Sequence, residues 1–386
     1  MSNFITDIKV QKVFHLKDFC IPISETEKKH LIITGRNGSG KTILLNAIAA
    51  FFNEMYSFAS VKSIAGKYML ENRFVAEKQV GLYCNDAETL LKKYRKQDFI
   101  IAFYADERKS RFEESRNPVK PDLKVNKENV GQSKVDQFLN FMVDYKVQEA
   151  LARNEGKNED ADYIRQWFIS FQTILGRIFD DPQLNLKFNY KDYSFFIETD
   201  GKSFKFTELS AGYSAVLDIV TDLILKMQEG NNIVRAYEKE GIVLIDEIET
   251  HLHLELQRVI LPILTTIFPH IQFIVTTHSP FILSSLPNAV AFDLERRESI
   301  EDLTEYSYEA LAEGYFGVST DSSEIQMRLQ QLESLIQKEK LSVSEEKELE
   351  MYLKDFENIP EVLAPNVKAR FYELKRIWNS KAWKYD

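Results

Sequence analysis

The chain opens on loosely alternating apolar and polar positions, KVQKVFHLKDFCIPI, and a period of two predicts short antiparallel strands. HLIIT follows as a short apolar strand ending in a glycine turn, and KTILLNAIAAFF after the turn carries an apolar helix. QVGLYC and FIIAFY read as further strands. Residues 133–179 read mainly as helix, broken at the polar loop NEGKNED. LKFNYKDYSFFIETDGKSFKF reads as strands, with Asp-Gly marking the second turn. From 241 the order is strand, helix, strand in GIVLID, LELQRVILPILTTIF and QFIVTT. Such alternation predicts an α/β fold built on a mainly parallel sheet flanked by helices. Near the end, Ile325, Leu329, Leu332 and Ile336 recur at helical spacing, as do Leu349, Leu353 and Phe356. Ser342 and Glu345 fit a capping box between them, so a helical hairpin is expected over 322–339 and 343–357. No internal repeat or low-complexity stretch interrupts this order.

Composition narrows the class. Of 386 residues, 44% are apolar and 28% charged, which is ordinary for a globular chain and unlike a disordered one. No apolar run reaches the roughly 18 residues of a membrane helix. The best candidate, VLDIVTDLIL, is interrupted by Asp218 and Asp222. Two cysteines, Cys20 and Cys84, cannot form a disulfide framework, and MSNFITDIKV carries no secretion signal. The expected setting is therefore the cytoplasm, with no membrane partner. A net charge of −10 argues against a protein that coats nucleic acid. The charge is unevenly spread, however. Residues 92–127 hold 11 basic against 6 acidic side chains, and residues 295–361 hold 7 against 18.

GRNGSGKT, from Gly35 to Thr42, matches Gly-x-x-x-x-Gly-Lys-Thr in full, between an expected strand and an expected helix. That context is the phosphate-binding loop, or Walker A motif. Gly35, Asn37, Gly38, Ser39 and Gly40 would turn backbone amides onto phosphate oxygens at a helix N-terminus. Lys41 would reach the β- and γ-phosphates, and Thr42 would ligand Mg²⁺. GIVLIDEIE then delivers Asp246 and Glu247 to the carboxyl edge of an apolar strand, where open α/β sheets bind ligands. Asp246 would hold the Mg²⁺ shell and Glu247 would orient or deprotonate the attacking water. QFIVTTHSP places His278 past the end of a strand expected to neighbour the Asp246 strand. A His donor there can stabilise charge on a transferred phosphoryl group. In TELSAGYSAVLDIV, Ser210 and Gly212 precede an expected helix, and by themselves read as a cap.

Together these four elements resemble the ATP-binding-cassette ATPases, and more closely the branch holding the structural-maintenance-of-chromosomes and RecF proteins than the transporters. The likeness covers roughly residues 1–55 and 180–295. The family's signature is Leu-Ser-Gly-Gly-Gln; here Ala211 stands for the first Gly and Tyr213 for the Gln. The resemblance implies ATP sandwiched between two head-to-tail subunits, with Ser210 and Gly212 reaching the γ-phosphate on the partner's loop. DEIETHLHLELQ is similar to the Asp-Glu-Pro-Glu-x-His-Leu-His segment of overcoming-lysogenization-defect ATPases and of ATPase subunits in the Septu, retron and PARIS (AriA) anti-phage systems. Ile248 stands where Pro is frequent. His251 and His253 do not share a helix face, and no metal site is expected of them. In the family this segment lies at the dimer interface.

The implied architecture is an ABC-type ATPase core over 1–300, with an antiparallel β subdomain and a helical insertion near 130–180. A C-terminal helical region, 301–386, would serve for partner binding. The 168 residues between Lys41 and Ser210 are too few for long coiled-coil arms. The family's Gln loop is not obvious; FYADERKSR occupies its region, with Arg108 or Arg111 as candidates to face phosphate. After His278 there is no further His, and no Asp-x-Asp follows 290, so neither an HNH nor a Toprim nuclease is expected there. The leading expectation is an ATP- and Mg²⁺-dependent subunit of an anti-phage complex, a homodimer or higher oligomer. It would answer a phage protein trigger and control a separately encoded effector, a nuclease. A RecF-like DNA-repair ATPase using 92–127 on nucleic acid, and a scaffold that binds ATP only to assemble, are the alternatives.

Overall fold

The computed structural model describes residues 2–57, 69–70, 73–74, 79–107, 112–115, 117–121, 129–228, 239–316, 322–338, 340–360 and 365–382. The chain divides between Leu311 and Ala312 into two compact units. In chain order the first begins with β1 (Ile5–Val13), β2 (Leu16–Pro22), β3 (His30–Thr34) and α1 (Lys41–Ser57). Next come the short β4 (Met69–Leu70) and β5 (Arg73–Phe74), β6 (Val80–Cys84), α2 (Ala87–Lys96) and β7 (Phe99–Tyr104). An insertion supplies α3 (Phe138–Asn154), α4 (Asn158–Ile178), β8 (Asn185–Asn189), β9 (Ser194–Thr199) and β10 (Lys202–Lys205). The unit continues through α5 (Ala211–Met227), β11 (Glu240–Ile245), α6 (Leu254–Ile267), β12 (Ile271–Thr276) and α7 (Pro280–Leu283). It ends with β13 (Ala289–Asp293), β14 (Glu298–Glu301) and the start of α8 (Tyr308–Phe316).

The main sheet has the order β14-β13-β3-β12-β11-β7. All its strands run parallel except β14, which pairs antiparallel with β13. Every residue of β3, β12 and β13 is buried, the expected condition of parallel strands covered on both faces. A second sheet, β2-β1-β6, is antiparallel, matching the alternation of the opening residues. β1, β6, α1 and the inner strands share one core that includes Ile8, Leu31, Leu45, Ile48, Leu82 and Leu244.

The insertion forms its own layer, with α4 against the antiparallel sheet β10-β9-β8 and α3 packed on α4. The interhelical break lies at 155–157, shorter than the seven polar residues suggest, because Asn158, Glu159 and Asp160 form the first turn of α4, where acids suit the helix dipole. Aromatic rings fill this layer. Trp167 stacks on Phe171 at 5.5 Å, and Phe138 meets Phe171 at 5.2 Å. Asp200 and Gly201 both take positive φ, as the β9–β10 turn requires.

α5 accounts for Asp222, one of the two acids in the apolar run VLDIVTDLIL. The helix is buried on all sides from Ala215 to Met227. Asp222 accepts hydrogen bonds from the Tyr104 hydroxyl at 2.6 Å and the Lys134 amide at 2.6 Å, and is ion-paired with Lys226. Its burial is thus compensated by three partners from three segments. No described helix is long and apolar enough to cross a membrane.

The second unit contains α9 (Ser323–Gln337), α10 (Val343–Glu357) and α11 (Pro365–Ala382). The hairpin and its capping box at Ser342 and Glu345 are present. The third helix completes the core: Val367, Phe371 and Leu374 pack with Leu332, Leu349 and Phe356. Lys368, buried, donates to the carbonyls of Phe356 at 2.8 Å and Glu357 at 2.7 Å, satisfying the C-terminus of α10.

His30, buried at the start of β3, accepts a hydrogen bond from the Phe273 amide through Nδ1 at 3.0 Å. Burial, aided by the nearby Lys28 charge, pushes its protonation down to about 3. The unfolded chain, where histidine titrates near pH ~6.5, therefore binds the proton that the folded chain refuses. Stability is full above that value and falls as pH drops toward 3, by about 1.4 kcal/mol per pH unit from this residue. His30→Asn, which keeps an acceptor, should flatten the slope of the urea midpoint between pH 6 and 4. An unchanged slope would refute the assignment.

Candidate functional site

The phosphate loop joins the carboxyl end of β3 to α1. Gly35, Gly38 and Gly40 have φ of 141°, 82° and 101°, conformations that favour glycine. Gly40 is also sterically confined, since a Cβ there would stand 3.1 Å from both the His15 ring and Leu16. Asn37 and Gly38 are exposed, Ser39 is half-buried, and Thr42 is half-buried in the first turn of α1. Lys41 is buried, its ammonium donating to the carbonyls of Gly35 at 2.9 Å and Arg36 at 3.2 Å. Burial pushes its protonation down, while the charges of Glu247, Glu249, Asp246 and Glu295 pull it back up. The loop cation is thus held before a set of carboxylates.

Asp246, fully buried, follows directly on β11, and its amide donates to the Tyr104 carbonyl of β7 at 2.8 Å. Thr276, ending the neighbouring β12, donates its hydroxyl proton to Asp246 Oδ1 at 2.5 Å. The same hydroxyl accepts from the Glu247 amide at 2.8 Å. Glu247 is half-buried with φ of 42°, a left-handed conformation held in place by these bonds. The Ile248 amide donates to the Thr276 carbonyl at 3.1 Å, a bond that proline could not make. The Ile248 amide thus ties the loop after β11 to the end of β12.

His278 stands two residues beyond β12, half-buried. Burial first, then the Lys41 charge, lowers its protonation, with Asp246 opposing. Its imidazole is accordingly neutral at pH 7. Its backbone amide donates to Glu249 Oε1. Burial raises the Glu249 carboxyl, with the Glu247 charge adding to the rise and hydrogen bonds opposing it. The electrostatic coupling of Lys41 with Asp246, Glu247 and His278 joins the expected residues into one group at the carboxyl ends of β3, β11 and β12.

Ser210 is the exposed N-cap of α5, but its side chain makes no capping hydrogen bond, contrary to the simple reading of a cap. Gly212 lies beneath the loop that follows Glu247: a Cβ there would be 3.1 Å from the His251 carbonyl. Tyr213 stacks on Phe179 at 4.3 Å and meets His253 edge-on at 6.2 Å. His253 caps α6, its Nδ1 accepting from the Leu256 amide. Among the described residues no cluster of His, Cys, Asp or Glu offers a metal site of three or more ligands. A groove of about 800 Å³ opens beside Tyr213, lined also by Phe179, Arg258, Phe281 and Tyr308.

Sequence reasoning passed over Thr276, Glu249 and the β1–β2 turn. Glu249 belongs to DEIETHLH, and its repeated acid was the available signal. In the turn, His15 Nε2 lies 3.0 Å from the Ser39 carbonyl, and the ring of Phe14, 76% exposed, meets His15 at 5.5 Å. Only the fold brings that turn to the loop. Arg108 and Arg111 lie outside the described residues.

A family profile described as "AAA domain, putative AbiEii toxin, Type IV TA system" matches residues 31–284. The Septu protein PtuA of Bacillus mycoides (strain KBAB4) is 26% identical over 321 residues, which are 77% of this chain and 42% of that protein. The retron Ec83 probable ATPase of Escherichia coli is 37% identical over 103 residues, 26% of this chain and 19% of that protein. The chain spans less than half the length of the curated relatives it matches. Among solved structures, an Smc head bound to the C-winged helix domain of ScpA matches with a TM-score of 0.40 at 13% identity, covering 77% of this chain and 96% of that one.

The Thr276 hydroxyl offers a test independent of activity. Thr276→Val keeps the side-chain shape but leaves Asp246 and the Glu247 amide without their shared partner. It should lower stability by about 1–3 kcal/mol in urea denaturation. Thr276→Ser should recover most of the loss. Equal stability of Val and wild type would show that the bridge is unimportant.

Proposed function

Because the chain belongs to the AAA-domain family just described, we propose that it binds and hydrolyses ATP as a cytoplasmic subunit of an anti-phage defence complex. The observation that carries this reading is the gathering of Lys41, Asp246, Glu247 and His278 about one glycine loop. The donor set fits Mg²⁺, a hard cation that takes oxygen ligands: the Thr42 hydroxyl and a buried Asp246 carboxylate oriented by Thr276. Bound there, the ion would neutralise phosphate charge.

The chain's own residues perform the remaining work. Lys41 exchanges the carbonyls of Gly35 and Arg36 for β- and γ-phosphate oxygens. Glu247, held in its left-handed conformation, takes a proton from the attacking water. The neutral His278 ring donates a hydrogen bond as charge grows on the transferred phosphoryl group. Phe14, at the loop's flank, presents a face on which the base can stack. Ser210, free of capping duty and exposed, serves the ATP of a second subunit, together with Gly212. This arrangement supports a homodimer or higher oligomer.

The same reading gives the complex a separately encoded effector, a nuclease, released when a phage protein trigger is sensed. The similarity to Septu PtuA and a retron ATPase supports the defence role, and the helical unit of α9–α11 is the surface proposed for the effector. The DNA-repair alternative leans on basic residues 92–127. Of these, Lys92 is paired with Glu88 at 2.5 Å and Lys93 with Glu240 at 2.9 Å, which leaves them less suited to phosphate.

Glu247→Gln should retain ATP, slow turnover by roughly 10²–10⁴-fold, and accumulate as an ATP-bound dimer or larger assembly in light scattering. Lys41→Ala should lose binding or turnover while remaining folded. A monomer under saturating ATP would contradict the sandwich, and hydrolysis by folded Lys41→Ala would contradict the site. Protection from phage should require the effector as well as Lys41; protection by this chain alone would overturn the partner model.

A further inference from the structure

We infer that Glu249 is a positioning residue: its carboxylate latches the His278 backbone to the loop after β11, and so sets the His278 ring against the γ-phosphate. The inference rests on the ATPase reading for its catalytic consequence, but its structural part stands separately. Glu249 Oε1 accepts from the His278 amide across 29 residues of chain. Its other oxygen, Oε2, is buried, and the Thr277 side chain also bonds the carboxyl. A carboxylate drawn into this environment is costly unless its fixed bond serves the site.

The local backbone shows what the latch joins. Glu247 and Glu249 begin two consecutive tight turns, with the Thr250 amide donating to the Glu247 carbonyl at 2.9 Å and the Leu252 amide to the Glu249 carbonyl at 2.8 Å. The next residue after the first turn is His251, at φ of 70°, whose carbonyl overlies Gly212 at the start of α5. One short loop therefore carries the water-activating acid, the latch to His278 and the contact with the Ser210-bearing helix. Thr276 fixes the front of this loop and Glu249 its middle. Without Glu249, the segment from Thr277 to Ser279 keeps its link to β3 through the Thr277 amide and the Ile33 carbonyl at 3.0 Å. The His278 amide then loses the Glu249 carboxylate, while the Ser279 hydroxyl keeps its bond to Gln257 at 2.7 Å.

The latch requires an acceptor oxygen and not a charge. A neutral amide of the same shape supplies that acceptor as well. Glu249→Gln keeps a carbonyl oxygen for the His278 amide, whereas Glu249→Ala removes it. This separates positioning from proton transfer, for which glutamine is useless.

In the full chain, hydrogen exchange read by mass spectrometry on fragments covering 273–281 should quicken by about tenfold or more in Glu249→Ala and stay near wild type in Glu249→Gln. With ATP, the alanine variant should lose about 10²-fold in kcat at little change in KM, and glutamine should recover most of it. Glu249→Ala combined with His278→Ala should be no slower than His278→Ala alone, because both act through one ring. Unchanged exchange in Glu249→Ala overturns the latch. A glutamine variant as slow as alanine, or additive losses in the double variant, overturns the positioning role. A wild-type chain that fails to hydrolyse ATP would defeat the ATPase reading, while the exchange experiment would still decide the latch.

Discussion

The hydroxyl of Thr276 gives its proton to Asp246 Oδ1 and accepts one from the Glu247 amide, and this single group locks the carboxyl ends of two adjacent parallel strands. Everything at the site is referred to that lock. A carboxylate at zero exposure is unfavourable by several kcal/mol unless it is hydrogen-bonded or faces a cation. Here the neighbouring strand supplies the hydrogen bond, and the Lys41 charge lies within electrostatic reach. Because β12 also pairs with β3, which runs into the phosphate loop, the position of Asp246 is fixed relative to the glycine turn through two strand pairings. Parallel order with buried faces is therefore the means by which residues more than 200 positions apart meet.

The same sheet carries the second buried charge cluster. Tyr104 ends β7 with two bonds of opposite sense: its carbonyl accepts from the Asp246 amide, and its hydroxyl donates to Asp222 in α5. Asp222 in turn holds Lys226 and the Lys134 amide just ahead of the helical insertion. An apolar substitute for this group would avoid the desolvation cost. It would also remove the directional contacts that set α5 against β7. A shift of α5 along its axis would break the Asp222 bonds to Tyr104 and to the Lys134 amide, though not the pair with Lys226 inside the helix, so the helix that carries Ser210 and Gly212 is seated by two directional contacts.

Much of this was legible in the sequence, for a physical reason. The phosphate loop, the Asp246 strand and the His278 strand are local patterns: an apolar run, then a residue type that chemistry demands at its end. The capping box at Ser342 and Glu345 is local too. What escaped was nonlocal. Asp222 read as an interruption because its compensation comes from α5 itself together with Tyr104 and Lys134, distant in sequence. Thr276 read as the tail of a strand, since its role depends on which strand lies beside it. Phe14 and His15 lay unmarked within an alternating strand pattern, and only the pairing of β1 with β2 brings His15 to Gly40. The third C-terminal helix was missed because Phe371 and Lys368 have meaning only against the end of α10.

Tyr213, which stands where the signature of the resembled ATP-binding-cassette family has Gln, takes part in the same nonlocal packing. A family Gln at position 213 would present an amide near the start of α5. Tyr213 instead lies flat on Phe179, from the end of α4, and edge-on to His253, the cap of α6. Aromatic contacts of this geometry contribute about 0.5–1.5 kcal/mol beyond simple burial. They tie the insertion to the loop after Glu247 through the signature residue itself. Gly212 makes the same connection from below, where a Cβ would press on the His251 carbonyl at 3.1 Å. Displacement of that loop at its acidic end is thus resisted at its other end by α5 and by α4. These contacts form one continuous path of packing from the loop after Glu247 through α5 to the helical insertion.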